Sequence, residues 1–169
     1  MRRLSLAWCA AGAALLVVGC GGDSGSGEAR PQEPGSSKQP SPSRAEFIAQ
    51  ADSACRDVQS KQNDLRREAR GKQTTQLVPT LRKQAQLANG LAAKLRSLGT
   101  PSGDSARVAA FVDSVRQIGV YSKALSDSIE AKHTGPARKL AGRLVRWRQV
   151  EHTLGQSYGF KVCARGSSY

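Results

Sequence analysis

Aromatic residues and histidines are scarce in this chain of 169 residues. Phenylalanine, tyrosine and tryptophan make up only 5% of the sequence, too few to build the stacking platforms that bind single-stranded nucleic acid. The two histidines, His133 and His152, belong to different predicted helices and have no metal-ligating partner four residues away. We therefore predict no nucleic-acid partner, no metal site and no cofactor.

Catalytic motifs and long apolar runs are missing as well. The sequence contains no G-x-S-x-G elbow, no Walker loop and no C-x-x-C-H site, so we predict a protein without catalytic residues that is not an enzyme. The one apolar run, residues 4–18, is about 15 residues long. Crossing a hydrocarbon core takes roughly 20 residues, so this run does not predict a transmembrane helix.

The N-terminal region instead has the features of an export signal. Arg2 and Arg3 precede the apolar run, which ends in Val17, Val18, Gly19 and Cys20. A secretory signal peptide of the ordinary kind would end in an A-x-A-like site, which is absent. Residues 17–20 resemble the bacterial lipobox. The resemblance implies a signal peptide over residues 1–19, a diacylglyceryl group on Cys20 that anchors the protein to the cell membrane, and an extracytoplasmic location.

Residues 20–43 consist mainly of Gly, Ser, Pro, Glu and Gln, with no aliphatic side chain larger than that of Ala29. Such a segment cannot bury enough apolar surface to offset the entropy of ordering, so we predict a disordered stalk. A folded domain is expected over residues 44–169.

Four amphipathic helices are predicted in that domain. Ser43 and Glu46 have the spacing of a capping box at the first helix start, and Gly71 ends this helix. Pro79 is expected in the first turn of the second helix and Pro136 at the first position of the fourth, which follows a break at residues 134–136. The apolar stripes are Phe47, Ile48, Ala51, Ala54, Cys55, Val58, Gln62, Leu65 and Ala69; then Leu77, Leu81, Ala85, Ala88, Leu91, Ala92, Leu95 and Leu98; then Val108, Phe111, Val115, Ile118, Leu125 and Ile129; and finally Leu140, Leu144, Trp147, Leu154 and Tyr158.

Short connections between four helices favour antiparallel neighbours, so the predicted fold is an all-α, up-and-down four-helix bundle. The start of the first helix and the end of the fourth then lie at one end. Cys55 and Cys163 can meet there if residues 160–163 fold back along the first helix, and a disulfide persists outside the cytosol. Two free thiols and a redox couple are the alternatives, but the pair lacks C-x-x-C spacing.

The domain resembles small helical lipoproteins of high-GC Gram-positive bacteria. The resemblance is carried by residues 47–55, by the break at 98–104 and by residues 158–163, which read Tyr-Gly-Phe-Lys-Val-Cys. It implies a disulfide-closed helical bundle on the outer face of a cytoplasmic membrane, and it carries over no activity.

One charged residue interrupts the apolar stripes. Glu151 falls inside the fourth stripe, opposite Ala51 and Ala54 if the first and last helices are neighbours. A buried carboxylate must be paired, hydrogen-bonded or neutral. Either Glu151 lies at the edge of the stripe beside an arginine, or it marks a small polar site with Tyr158 or Trp147 as a wall. Gln62 and Ser122 are the other polar residues nearest this stripe.

The net charge of +13 is concentrated in the folded domain. Six Lys or Arg and no acid occur between Glu130 and Glu151, and Lys139, Arg143 and Arg146 form one helical stripe. This basic face is either solvated or attracts polyanions, namely anionic lipid head groups or cell-wall polymers. We therefore expect an interaction module that docks on such a surface or on an envelope protein. The alternative is a ligand-binding or sensory module with a small pocket in the bundle.

Overall fold

A computed structural model describes residues 41–165. It contains four long helices: α1 (Arg44–Ala69), α2 (Val78–Ser97), α3 (Ser105–Glu130) and α4 (Thr134–Tyr158). Short 3-10 turns lie at Thr74–Leu77 and Cys163–Arg165. The predicted all-α four-helix bundle closed by a Cys55–Cys163 disulfide is confirmed. The predicted signal peptide, the lipidation site Cys20 and residues 20–40 of the predicted stalk lie outside the described residues.

The start of α1 is fixed by the capping box that the sequence predicts. The Ser43 hydroxyl accepts a hydrogen bond from the Glu46 backbone N–H at 3.2 Å, and the Glu46 carboxylate accepts one from the Ser43 N–H at 2.8 Å. These bonds satisfy two backbone donors that a helix start leaves without partners. Pro79 is the second residue of α2, within the predicted first turn.

The predicted start of α4 is wrong by two residues. The helix begins at Thr134, so Pro136 is its third residue and not its first. The chain turns just before, where Lys132 adopts a positive φ of 57°. Proline fits at position three because the first N–H groups of any helix have no intrahelical acceptor. At the other end, Gly159 has a φ of 100° and caps the C-terminus of α4, a conformation that glycine adopts without strain.

The helices do not pack equally tightly. The closest pairs are α2 with α3 and α3 with α4, whereas α1 packs on α2 over a smaller area. At Gly119 of α3, an added Cβ atom would lie 3.2 Å from the Ala85 carbonyl oxygen and would clash with Asn89, so glycine permits the close approach of α2. Among residues 41–165, no helix is both long enough and apolar enough to cross a membrane.

The C-terminal segment, residues 160–165, lies between part of α1 and part of α4. Its 3-10 turn packs on both helices, and the α1 and α4 backbones do not pack closely on each other. On the α4 side, the His152 ring is in hydrogen-bond contact with the Ala164 carbonyl oxygen. Gly155 is buried against this segment, and an added Cβ atom there would lie only 3.0 Å from the Ala164 Cα atom, closer than side-chain carbons normally approach. The two helices still meet through side chains, since Arg44 of α1 donates a hydrogen bond to the Tyr158 carbonyl oxygen at the end of α4 at 2.7 Å.

The close packing of Gly155 against the C-terminal segment predicts that Gly→Ala substitutions at two positions of α4 change stability in opposite directions. Gly→Ala inside a helix ordinarily stabilises by up to about 1 kcal/mol. Gly142→Ala should do so, since nothing lies within 4 Å of an added Cβ atom there. Gly155→Ala should instead destabilise by about 1 kcal/mol, because overpacking against the Ala164 backbone outweighs the helix preference. Urea unfolding of both variants measures the difference, and equal stabilisation by both would contradict the described packing.

Candidate functional site

A buried aspartate that the sequence analysis did not single out holds the C-terminal segment on α1. Asp52 is 7% exposed, and its carboxylate accepts backbone hydrogen bonds from Lys161, Val162 and Cys163 at 2.9, 2.9 and 3.0 Å. Gln59 adds a side-chain hydrogen bond to the Val162 carbonyl oxygen at 3.0 Å. Three donors on one carboxylate form an anion site built from the main chain of this segment.

The disulfide lies beside this carboxylate. Cys55 follows Asp52 by one helical turn, and its Cα atom is 5.2 Å from that of Cys163. The predicted return of residues 160–163 along the first helix is confirmed. A covalent bond and three hydrogen bonds thus fix the same few residues, which makes this end of the domain the most strongly constrained part of the described chain.

Glu151 lies inside the bundle, with 8% of its surface exposed. It lines a cavity of about 20 Å³ together with Gln62, Gln59 and apolar side chains of α1, α2 and α3. A cavity of this size holds about one water molecule. The structure therefore brings Glu151 and Gln62 together, but it leaves no room between them for an organic ligand.

The other residues expected near Glu151 lie elsewhere. Ser122 is fully buried, does not line the cavity, and its hydroxyl has no hydrogen-bond partner within residues 41–165. The Tyr158 hydroxyl donates to Asp104 at 3.0 Å, and Trp147 packs against the core around Ile118. Neither aromatic ring is a wall of the cavity. Glu151 also faces α1 at Cys55 and the turns that follow it, and not at the predicted Ala51 and Ala54.

Burial changes the acidity of Glu151. Loss of hydration raises the pKa of its carboxyl group from 4.5 to about 7, although the nearby positive charge of Arg148 offsets part of the effect. The group is therefore partly protonated at neutral pH. A neutral carboxylic acid can remain in a small cavity that an ionised carboxylate would occupy only at considerable cost.

This pKa predicts a pH-dependent effect of the isosteric variant Glu151→Gln. Because the folded pKa of Glu151 lies above the unfolded value, its contribution to stability is largest below about pH 4.5 and is lost as the pH rises through 7. Relative to wild type, Glu151→Gln should therefore gain about 3 kcal/mol between pH 4.5 and pH 8. Urea unfolding of both proteins across this range measures the gain. A difference in stability that does not change with pH would rule out a titrating, buried Glu151.

The basic face of α4, defined as Lys139, Arg143 and Arg146, is exposed to solvent. The Arg143 guanidinium lies 6.0 Å from the centre of the Tyr121 ring of α3. None of the three cations forms an ion pair within residues 41–165, and the only acid in α4, Glu151, is buried. The positive charge on this face is therefore not neutralised by the described part of the domain.

Acids elsewhere in the bundle are mostly engaged with neighbouring cations. Examples are Lys83 with Glu68 at 3.4 Å and Lys123 with Asp127 at 2.7 Å. Asp104 pairs with Arg44 at 3.7 Å. Such exposed pairs contribute little to stability, but they neutralise charge locally on α1, α2 and α3. Among the four helices, α4 is therefore the one whose surface charge is least neutralised by nearby groups of opposite charge.

No metal site can be built from the described residues, since residues 41–165 contain no group of three His, Cys, Asp or Glu side chains close enough to hold an ion. Comparison of the chain with protein-family models, curated proteins and solved structures found no match. Any proposal about function therefore depends on the surfaces and cavities of this domain.

Proposed function

We propose that this protein is a lipid-anchored, extracytoplasmic interaction module that docks the basic face of α4 on an anionic surface of the cell envelope. The observation that supports the proposal best is the uncompensated charge of Lys139, Arg143 and Arg146 on an exposed helix that carries no exposed acid. The lipobox-like residues 17–20 support the anchor and the location. The module acts by binding and carries no proposed catalytic residue.

Anionic lipid head groups are the nearest surface for a domain tethered in this way. Each Lys or Arg close to such a surface contributes about 1 kcal/mol of attraction. Residues 20–43 can reach at most about 75 Å from the anchor when fully extended. The 25-residue α4 is about 37 Å long, so the tether is long enough for the domain to lie with this helix on the membrane.

Cell-wall polymers rich in phosphate would also attract the basic face, because they are negatively charged. An acidic envelope protein is a third negatively charged partner of this kind. The attraction weakens with ionic strength in each case. The small-pocket alternative has less support, because the cavity beside Glu151 holds about one water molecule.

A vesicle-binding measurement tests the proposal with a matched pair of triple variants. Using the unlipidated chain from residue 20 onward, K139Q/R143Q/R146Q should bind anionic phosphatidylglycerol vesicles about 100-fold more weakly than wild type, since three contributions of about 1 kcal/mol are lost. The control K61Q/K94Q/R96Q removes the same charge from exposed residues of α1 and α2 and should weaken binding less than tenfold. Equal losses in both variants would show that net charge alone, and not this face, governs binding.

A further inference from the structure

An apolar groove begins between the C-terminal half of α1 and the flank of α4, and it continues between α4, α3 and residues 74–81. All the buried side chains of α1 lie in its first half, the last being Cys55. The apolar stripe continues beyond them through Leu65 and Ala69, but these residues are only half-buried. The sequence predicts that this apolar face of α1 is buried along its whole length. In the described structure, the second half of the face is only partly covered by other helices.

The groove consists of two connected hollows of about 290 and 630 Å³. Leu77, Leu81, Leu125 and Ala141 line both hollows and form a continuous apolar floor. The exposed lining surface is mainly apolar, as in sites that bury most of a small ligand. Between Ala137 and Arg148, which line opposite ends, α4 rises about 16 Å, comparable with the length of a long acyl chain.

The charges along the groove are all of one sign. Arg66 and Arg148 line the inner hollow, and Lys132 and Arg138 line the outer one. No Asp or Glu lines either hollow. Arg66 also donates a hydrogen bond to the Asn63 side chain at 3.2 Å, and both arginines interact within the protein. A guanidinium group presents planar, paired donors that match a carboxylate.

We propose that this groove binds the anion of a single-chain fatty acid. The carboxylate is held at Arg66 and Arg148, and the alkyl chain lies along Leu77, Leu81 and Leu125. The site differs from the basic face and does not depend on the proposed docking function. The groove opens on the α1 side of α4, whereas Arg143 of the basic face contacts Tyr121 of α3 on the other flank.

Titration calorimetry with dodecanoate, below its micellar concentration, tests the site on the chain from residue 20 onward. We expect saturable binding of one dodecanoate per chain. Dodecyltrimethylammonium has the same alkyl chain and the opposite head charge, and it should bind at least about tenfold more weakly, since charge-assisted hydrogen bonds to the carboxylate are absent. Absence of saturable dodecanoate binding, or equal binding of the two amphiphiles, would overturn the proposal.

Three variants locate the site. Ala141→Phe fills the junction of the two hollows and should weaken dodecanoate binding at least about tenfold, as filling an apolar pocket displaces the chain. Val145→Asp should weaken it as well, because Val145 lines the inner hollow and is 65% exposed, so a charge is tolerated there. The control Val120→Asp places the same charge at a 44% exposed valine of α3, outside both hollows, and should leave binding unchanged.

Circular dichroism tests whether each variant keeps its helical fold. Val145→Asp carries the test if the larger Ala141→Phe does not fold. Wild-type affinity in folded Val145→Asp, or equal losses in Val145→Asp and Val120→Asp, would contradict binding in the groove. Analytical ultracentrifugation of wild type tests whether a second copy of the chain occupies the groove instead. A stable dimer that dodecanoate does not dissociate would contradict the fatty-acid site.

Discussion

The double variant Cys55→Ala/Cys163→Ala is expected to lose roughly 4 to 5 kcal/mol of unfolding free energy, the largest loss among the changes considered. The disulfide joins residues 108 positions apart, and closing a loop of this length removes much of the conformational entropy of the unfolded chain. Many single domains of this size have a total stability of 5 to 15 kcal/mol, so the variant should be marginally folded. Urea unfolding at neutral pH measures the loss.

Reduction of the wild-type protein is the natural control for this prediction. Reduced wild type and the double variant should unfold at similar urea concentrations, because both lack the same covalent restraint. Before unfolding, the two should also have the same helical content, which circular dichroism measures. A loss below about 1 kcal/mol in the double variant would mean that the disulfide does not constrain the unfolded chain as proposed.

Asp52→Ala is expected to destabilise the domain on the order of 4 kcal/mol. Three backbone N–H groups of the C-terminal segment donate to this carboxylate, and each buried donor left without a partner costs about 1 to 3 kcal/mol. The matched control is Asp57→Ala, which removes an exposed carboxylate from the same helix and should change stability by less than about 0.5 kcal/mol.

The Asp52 prediction can be separated from that for the disulfide by hydrogen exchange. In Asp52→Ala the disulfide still tethers Cys163, but the amides of Lys161, Val162 and Cys163 lose their acceptor and should exchange much faster. In the cysteine variant these amides keep their acceptor. Unchanged protection of the three amides in Asp52→Ala would show that the carboxylate does not hold this segment.

The helical fold was predictable because each element carries its own local pattern. The stripes of apolar residues at helical spacing, the Ser43–Glu46 capping box and the glycine at the end of α4 all act within a few residues. The pairing of Cys55 with Cys163 followed from topology, since an antiparallel bundle brings the two ends together. The exact start of α4 was less predictable, because proline is compatible with several first-turn positions.

The contacts of Asp52 were harder to predict because its partners are main-chain groups more than 100 residues away. The available indication was its spacing, three residues before Cys55 and therefore on the same side of α1. Helical periodicity likewise predicted that Leu65 and Ala69 would be covered, but it cannot reveal how closely the second half of α1 packs on the other helices. The groove is a result of that tertiary arrangement.

The burial of Glu151 also depends on tertiary packing that local sequence patterns do not determine. Its place within an apolar stripe predicted either an edge position or a small polar site, and sequence alone could not choose between them. The structure places it in the interior beside Gln62, while Ser122, on another helix, lies away from the cavity. The distances between side chains of different helices depend on helix rotation, which the stripe of one helix does not fix.

Fluorescence quenching of the lipidated protein in anionic vesicles tests the proposed docking most directly. A fluorophore at Gly142→Cys reports on the basic face of α4, and one at Ser60→Cys reports on an exposed position of α1. With a quencher on the lipid head groups, the label at 142 should be quenched much more strongly than the label at 60, and high salt should remove the difference. Equal quenching at both positions, in low and high salt alike, would contradict docking through α4.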